Sequence, residues 1–509
     1  MTEKNKDTKE VKQEDKRITY EVDANVLARS VYFDVYERNK NLNFLKLFPK
    51  ERTLVALQSP ESNEKYLRDL SNFLYFTSLN YRNIVNYYAH MPKLDYYLVP
   101  HKQEAMADEL SVEEKRKIRK AYFKTAFMLD TINIKHEFQR IQEIAWREGV
   151  FYGYARRGED SFFIQKLDPD YCHITGIEDG TLVYEFDFSY FTKYPAYLDT
   201  YPKEFKEIYK RISDKDKKQN TINNKINHSN RLWRALDSKN LVCHKIDETM
   251  FLPLPPFMAL FPLIYDVEDN RDIQRTSHEL DNYKVLVGKI PYNKEKSDSV
   301  NNFSLSLDLA VQYSNKINAE IPNGMGFLLS PYERIEAINL HNTSVDKNIV
   351  KDSEDGVLRS AGISTDLFGG SNSTDASAGR AVAINESSVF AMLRQYERLI
   401  NKWLKMEETK KYRTRIHFLD ITNMNQNIVR NSLQKSANYG LPIKMQLAAS
   451  FGMSPSETMS MSVLENDILG LHEKWIPLQS ANTQSDKGRE DGGRRTEGEV
   501  NADGESGEE

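Results

Sequence analysis

The residues best able to do chemistry are two Cys-His dipeptides, Cys172-His173 and Cys243-His244, and the carboxylates of Asp168-Pro169-Asp170. A zinc centre needs ligands converging from several directions. Neighbours on a strand point to opposite faces, so each dipeptide offers one ligand at most, and no CxxC or HxxxH supports it. Asp168, Asp170 and Glu178 could together hold a metal, which would be the chemistry of a metal-dependent nucleic-acid-processing enzyme. Asp-Pro before a β-run is also ordinary turn grammar. Phosphate chemistry finds less support. No Gly-Lys-Ser or Gly-Lys-Thr occurs, so there is no Walker A loop, and the GxG of Gly324-Met325-Gly326 meets Leu329 where a third glycine should stand. The small-residue stretch Gly362 to Gly379 lacks a lysine and follows a helix rather than a strand. With GxSxG and HExxH also absent, the expectation is a non-enzyme with no catalytic residue, metal or cofactor.

Composition bounds what must position any site. The 509 residues leave room for roughly two to four domains or one multi-segment subunit. Hydrophobic residues are 39% of the chain and charged residues 28%, enough apolar content for most of it to fold. The formal charge is −5, and residues 485–509, with nine acids and four bases, also sum to −5, so residues 1–484 are neutral. That excludes a protein coating DNA by bulk attraction, though not one that lets DNA slide past. Two cysteines and a charged N-terminus without an apolar h-region predict folding in a reducing cytoplasm. The most apolar stretch, Met250 to Tyr265, is too short for a bilayer and is broken by four prolines, so no membrane contact is expected.

Periodicity predicts an α+β chain, predominantly α-helical. Helices are expected at 24–38, 62–78, 113–129 and 132–148, with Leu67, Leu70, Phe73 and Leu74 sharing one face and Ile134, Phe138, Ile141, Ile144 and Ala145 another. Four aromatic and β-branched runs between Val150 and Phe188 read as one antiparallel meander, turning at Gly158-Glu159-Asp160 and Glu178-Asp179-Gly180. A helix at 203–212, an exposed polar loop at 214–231 and a strand from Lys239 to Ile246 follow. The segment 263–284 predicts a charged helix with only a thin apolar stripe, which leaves it solvated or packed laterally. A compact α/β insert comes next: a strand from Val285 to Pro291, a helix from Leu305 to Ile317, and strands at Gly326 to Leu329 and Ile335 to Leu340. A second polar helix at 345–361 returns the chain to the Gly/Ser-rich loop. Beyond it, Val389, Leu393, Tyr396, Ile400 and Trp403 form the seam of a long helix from Arg380 to about Lys410, with Arg394, Glu397, Arg398 and Lys402 outside it. A strand at 414–421 and short helices from 425 to 475 complete the pattern.

This order of elements resembles the portal, or head-to-tail connector, proteins of tailed bacteriophages, siphophage type. Ser360 to Leu404 resembles the portal pattern of a small-residue turn, an Ile-Ser step, a Leu-Phe-Gly, a Ser/Thr-rich loop and a long helix with a Leu/Ile/Trp seam. Leu167 to Asp170, with the hairpin through Gly180 and the strand Tyr184 to Phe188, resembles the β-part of the wing. Gly440-Leu441-Pro442 and Phe451-Gly452-Met453-Ser454 resemble late portal helices.

The resemblance implies a disordered arm at 1–19, a wing at 20–255, stem helices at 256–284 and 343–361, and a clip at 285–342. It further implies a tunnel loop at 362–380, a long helix and strand returning to the wing at 381–424, a crown at 425–475 and a disordered acidic tail at 476–509. Subunits would form a ring, commonly a homododecamer, at one capsid vertex of the virion, and neighbours would bury Ile264, Val267, Ile273 and Leu280. Double-stranded DNA would pass through the channel, touching Ser371, Ser373, Thr374, Ser377 and Arg380. The clip, through charges such as Lys294 and Lys296, would dock the terminase large subunit, then head-completion or adaptor proteins. Major capsid and scaffolding proteins would surround the ring. The alternatives are the metal-dependent enzyme above and a capsid scaffold or adaptor without a channel.

Overall fold

In the computed structural model the described residues are 47–100, 110–158, 161–212, 232–282, 284–289, 305–320, 325–330, 348–368, 375–407 and 413–471. The arm, the helix at 24–38, the loop at 214–231, the strand Ile335 to Leu340 and the acidic tail lie outside them. The chain divides into two compact units, Met1–Pro455 and Ser456–Glu509. The fold is α+β and mostly helical.

Helices α1 (Lys50–Gln58), α2 (Pro60–Thr77) and α3 (Leu79–Ala89) open the described chain, followed by β1 (Tyr96–Pro100), α4 (Val112–Ile132) and α5 (Ile134–Glu148). Leu67, Leu70 and Leu74 of α2 are buried, as their spacing requires, with Phe73 of the same face partly buried against the same cluster, and Ile134, Phe138, Ile141, Ile144 and Ala145 of α5 are buried too. Ser111 and Glu114 form a reciprocal capping box that starts α4. At its other end Asn133, at φ 51°, turns the chain directly into α5.

The expected meander is two sheets, not one. Strands β2 (Val150–Arg157) and β3 (Phe162–Lys166) pair antiparallel, and β2 pairs on its other side with β7 (Leu241–Lys245). Strands β4 (Cys172–Glu178) and β5 (Thr181–Asp187) join β6 (Trp233–Ala235) in a second sheet. The break falls at Pro169–Tyr171, a 3-10 turn whose Asp168 carboxylate accepts a hydrogen bond from the Asp170 amide. The same Asp-Pro-Asp signal that reads as a turn between paired strands here carries the chain from one sheet to the next. The two sheets stay in contact, because the Tyr184 hydroxyl donates to the Gly153 carbonyl at 2.6 Å and Tyr184 meets Tyr152 edge-on. After α6 (Ser189–Lys193) and α7 (Lys203–Arg211), Phe186, Phe188, Phe191, Tyr201 and Phe205 gather into an aromatic core beside the second sheet.

Helix α8 (Phe261–Asn282) leads to β8 (Lys284–Lys289), α9 (Leu307–Glu320) and β9 (Met325–Ser330). Strands β8 and β9 pair in parallel, which makes this insert a βαβ unit. Helix α10 (Ile349–Ser360) returns and packs on α8. The long helix α11 (Asp375–Glu407) has 33 residues, and its seam of Val389, Leu393, Tyr396, Ile400 and Trp403 is buried in the central core. Glu397 and Lys402 were expected outside that seam but are buried. Each has a specific partner that periodicity cannot see: Glu397 accepts from the Phe418 amide at 2.8 Å, and Lys402 donates to Thr181 Oγ1 at 3.2 Å and Glu178 at 3.3 Å. Strand β10 (Thr414–Phe418) pairs antiparallel with β1, followed by α12 (Gln426–Asn438) and α13 (Lys444–Ser450). The second unit contains most of α14 (Pro455–Ser462) and a π-turn at Val463–Ile468. Among the described residues no helix is long and apolar enough to cross a membrane.

Candidate functional site

The α8–α10 pair, with the βαβ unit between them, leaves and rejoins the packed core. The start of α8, through Ile264 and Val267, and the end of α10, through Val357 and Leu358, share one hydrophobic cluster. Farther out, Arg271 of α8 meets Glu354 of α10 at 2.6 Å. The two helices therefore run in opposite directions, out to the insert and back. Their sequences hold nine acids (six in α8, three in α10) against four Lys and Arg (two in each), so the pair is net acidic. Lys50 of α1 ties its base, donating to Asp266 at 2.7 Å and Asp269 at 3.0 Å. Those carboxylates hold the Lys50 ammonium above its ordinary range.

Where α10 ends, the backbone is closed by three bonds typical of a left-handed helix cap: Ala361 to Val357, Gly362 to Arg359 and Ile363 to Leu358. Gly362 has φ 77°. Tyr88 donates to the Ala361 carbonyl at 2.7 Å, and Asn385 of α11 donates to the Gly362 carbonyl at 2.9 Å. The end of the return helix, α3 and the long helix are thus pinned together at one point, just before the turn Thr365–Phe368. A Cβ at Gly362 would take the strained left-handed conformation and press on Asn385 Oδ1 at 3.3 Å and the Tyr88 hydroxyl at 3.4 Å. Gly362→Ala is expected to lower the melting temperature by about 1 °C, the effect of about 1 kcal/mol in a chain of this size. Gly356, inside α10 with open space around it, should show the opposite sign on change to Ala. Equal shifts at both positions by differential scanning fluorimetry would remove the special role of Gly362.

The carboxylates considered for metal binding are already committed. Asp168 caps its turn, while Asp170 pairs with Arg68 at 2.7 Å and with Lys65. Glu178 faces Lys402 at 3.3 Å from the other end of the hairpin. Burial pushes the Asp168 carboxyl up despite Lys65, Lys166 and Arg68. Around it lies an ionic cluster: Glu148 is buried against Lys166 at 2.6 Å and Arg147 at 3.2 Å, and Arg68 also holds Glu64 at 2.8 Å. Among the described residues no group of three or more His, Cys, Asp or Glu could hold a metal ion. Cys172 and Cys243 are both buried in the aromatic core, where burial pushes both thiols up, away from the reactive thiolate. His244 packs edge-on against Tyr396, and burial lowers its imidazole to about 3, so it is neutral.

Of the residues read as exposed for neighbouring subunits, Ile264 and Val267 are buried within this chain, packed by the N-terminal helices. The thin-stripe reading missed this because Thr53 and Tyr265, hydrogen-bonded at 3.1 Å, bring α1 onto the first half of α8. Ile273 is 51% exposed, and Leu280 lies on α8 with its side chain outside the described residues. Ser371, Ser373 and Thr374 fall outside the described residues, as do Lys294 and Lys296. Ser377 and Arg380 are in α11 rather than in a loop, because Asp375, Ala376 and Ala378 suit the start of a helix and extend it five residues beyond the expected boundary. Tyr88 and Asn385 gave no signal in the sequence; their role comes from a long-range contact with the Gly362 cap.

No protein-family model and no curated protein matches this sequence. Among solved structures, a chain from the virion of a native gene transfer agent particle is similar over 64% of this chain and 86% of that chain, with 12% identity and a TM-score of 0.33. A likeness of that size carries no argument about this chain.

Proposed function

We propose that this chain is the subunit of a viral portal, a ring at the capsid vertex through which double-stranded DNA is packaged and later ejected. The observation that carries the reading is the excursion itself: α8 leads out, a βαβ unit follows, and α10 returns antiparallel into a turn and then the 33-residue α11. In a ring, α8 and α10 would be the stem and the βαβ unit the clip, placed to meet a terminase and then head-completion proteins. A net-acidic helix pair suits a conduit, because it repels phosphate and offers moving DNA few counterion-releasing contacts. With Ile264 and Val267 already buried, neighbouring subunits would meet instead through exposed apolar groups such as Ile273 of α8 and Leu309, Val311 and Tyr313 of α9.

Negative-stain microscopy of the purified protein tests this, with closed rings of about twelve copies as the expected result. A monomer by light scattering at micromolar concentration in moderate salt would defeat it. A magnesium-dependent nuclease activity in that monomer would instead favour the enzyme reading, although the committed carboxylates of Asp168, Asp170 and Glu178 give it no support.

A further inference from the structure

Residues 115–124 of α4 hold six cations, Lys115, Arg116, Lys117, Arg119, Lys120 and Lys124, and no acid. All six are exposed. Thr125, Leu129 and Ile132 turn inward, where α4 packs on α5, β1 and β3, so the outer face takes no part in the core or in the excursion of α8 and α10. Along that outer face the helical spacing lines up Val112, Arg116, Arg119, Lys120, Phe123 and Phe127. Val112 is 86% exposed and Phe127 55%, and the Phe123 and Phe127 rings stack at 6.2 Å. Like charges one turn apart, Lys115 with Arg119, Arg116 with Lys120 and Lys120 with Lys124, repel and weaken a helix. Glu113 answers Lys117 at 2.8 Å, and Arg119 lies over the Phe123 ring at 5.7 Å. The excess of cations does not depend on what the preceding segment does. With the one lysine and three acids of residues 101–109 included, residues 101–124 still sum to +2, seven cations against five acids.

A face that sets exposed apolar groups in a ridge of cations suits a partner carrying both apolar groups and carboxylates. Duplex DNA would supply the anions, but its phosphate backbone has nothing to cover Val112, Phe123 and Phe127. We infer that the outer face of α4 docks an acidic amphipathic helix of a partner protein. The apolar side chains of that helix cover Val112, Phe123 and Phe127, and its carboxylates meet Lys115, Arg116, Lys120 and Lys124. The cations stand at the rim, where they steer and align the partner, while the apolar groups supply the buried area. Nothing in this reading depends on ring assembly.

The probe is a fluorescein-labelled peptide of two Glu-Leu-Glu-Glu-Leu-Leu-Glu repeats, followed by fluorescence anisotropy on the full-length protein. The expected result is saturable binding with a Kd of about 100 µM at low salt, weakened about tenfold at about 0.3 M salt. Serine in place of every leucine of the peptide should weaken it about tenfold, because the apolar groups are then left uncovered. Lys115→Glu, Arg116→Glu and Lys120→Glu together should abolish binding. Lys203→Glu, Lys435→Glu and Lys444→Glu together, on exposed positions of α7, α12 and α13, change the net charge equally and should leave binding intact. Phe127→Ser should weaken binding about fivefold and keep its salt dependence, with circular dichroism confirming the fold of each variant. Absence of binding up to about 1 mM peptide would overturn the inference. Equal loss in the two triple variants, or equal affinity for the leucine and serine peptides, would overturn it too. So would a short DNA duplex that binds more tightly than the peptide, which would make the face a nucleic-acid surface instead.

Discussion

Lys166→Met is expected to destabilise the protein by about 3–5 kcal/mol near neutral pH, the range for removing one partner of a buried ion pair. Glu148 is 2% exposed and sits at the end of α5, where the helix dipole already disfavours a negative charge. Burial alone would raise its carboxyl. Lys166 at 2.6 Å and Arg147 at 3.2 Å outweigh that and hold it below the ordinary glutamate value. Methionine keeps most of the aliphatic stem, so the change removes the charge more than the packing. In the natural protein this carboxylate contributes stability above the unfolded-state value of 4.5, and that contribution is lost as pH falls through the lower folded value. Without Lys166, Glu148 should take up its proton at a higher pH, so the acid loss begins earlier. Adding Glu148→Gln to Lys166→Met should restore much of the stability at pH 7, measured by urea unfolding. A single-variant loss below about 1 kcal/mol would show that Arg147 is sufficient by itself.

Periodic packing was legible in the sequence; pairing across distance was not. The apolar faces of α2 and α5 and the α11 seam each follow from i, i+3, i+4 spacing, and all three face the core where that spacing puts them, with Phe73 alone of the expected residues only partly buried. The failures share one cause. Ile264 and Val267 look exposed on a helix drawn alone, and only contacts with distant elements, the N-terminal helices some 200 positions away and α10, cover them. Glu397 and Lys402 carry charges that periodicity assigns to solvent, yet each answers a group on another element, the Phe418 amide and the hairpin from Glu178 to Thr181. The division of the expected meander depends in the same way on β7, which takes the free edge of β2 and leaves β4 and β5 to pair with β6. At the α10 cap the glycine was visible, but Tyr88 and Asn385 were not, because side chains 273 positions and 23 positions from their acceptors leave no local pattern. The ionic cluster beneath α2 is the largest such omission: Arg68, Glu148, Lys166 and Asp170 come from four separate segments.

That cluster also contains an acid held against its preference, and Asp69→Asn is expected to stabilise the protein at pH 8 by about 1–3 kcal/mol. Asp69 lies on α2 and is largely buried, which pushes its carboxyl up to about 6. Lys65 and Arg68 on the same helix pull it down, while Asp168 from the 3-10 turn and Glu148 from the end of α5 push it further up. The two cations are drawn elsewhere as well, Lys65 to Asp170 and Arg68 to both Asp170 and Glu64. Because the folded value lies above the 3.8 of an unperturbed aspartate, folding disfavours the ionised form. The cost is absent below about pH 3, grows from there through pH 6 and is complete above about pH 7. A shift of about two units sets an upper limit of about 3 kcal/mol, and partial access of solvent lowers it. Asparagine is uncharged at every pH, so natural and variant proteins should unfold at the same urea concentration near pH 3, diverge as pH rises to about 7 and keep a constant difference from there to pH 8. Asp168, also raised by burial, should leave some pH dependence in the variant. A variant no more stable than the natural protein at pH 8 would mean that Lys65 and Arg68 neutralise Asp69 after all, and that the cluster is balanced rather than strained.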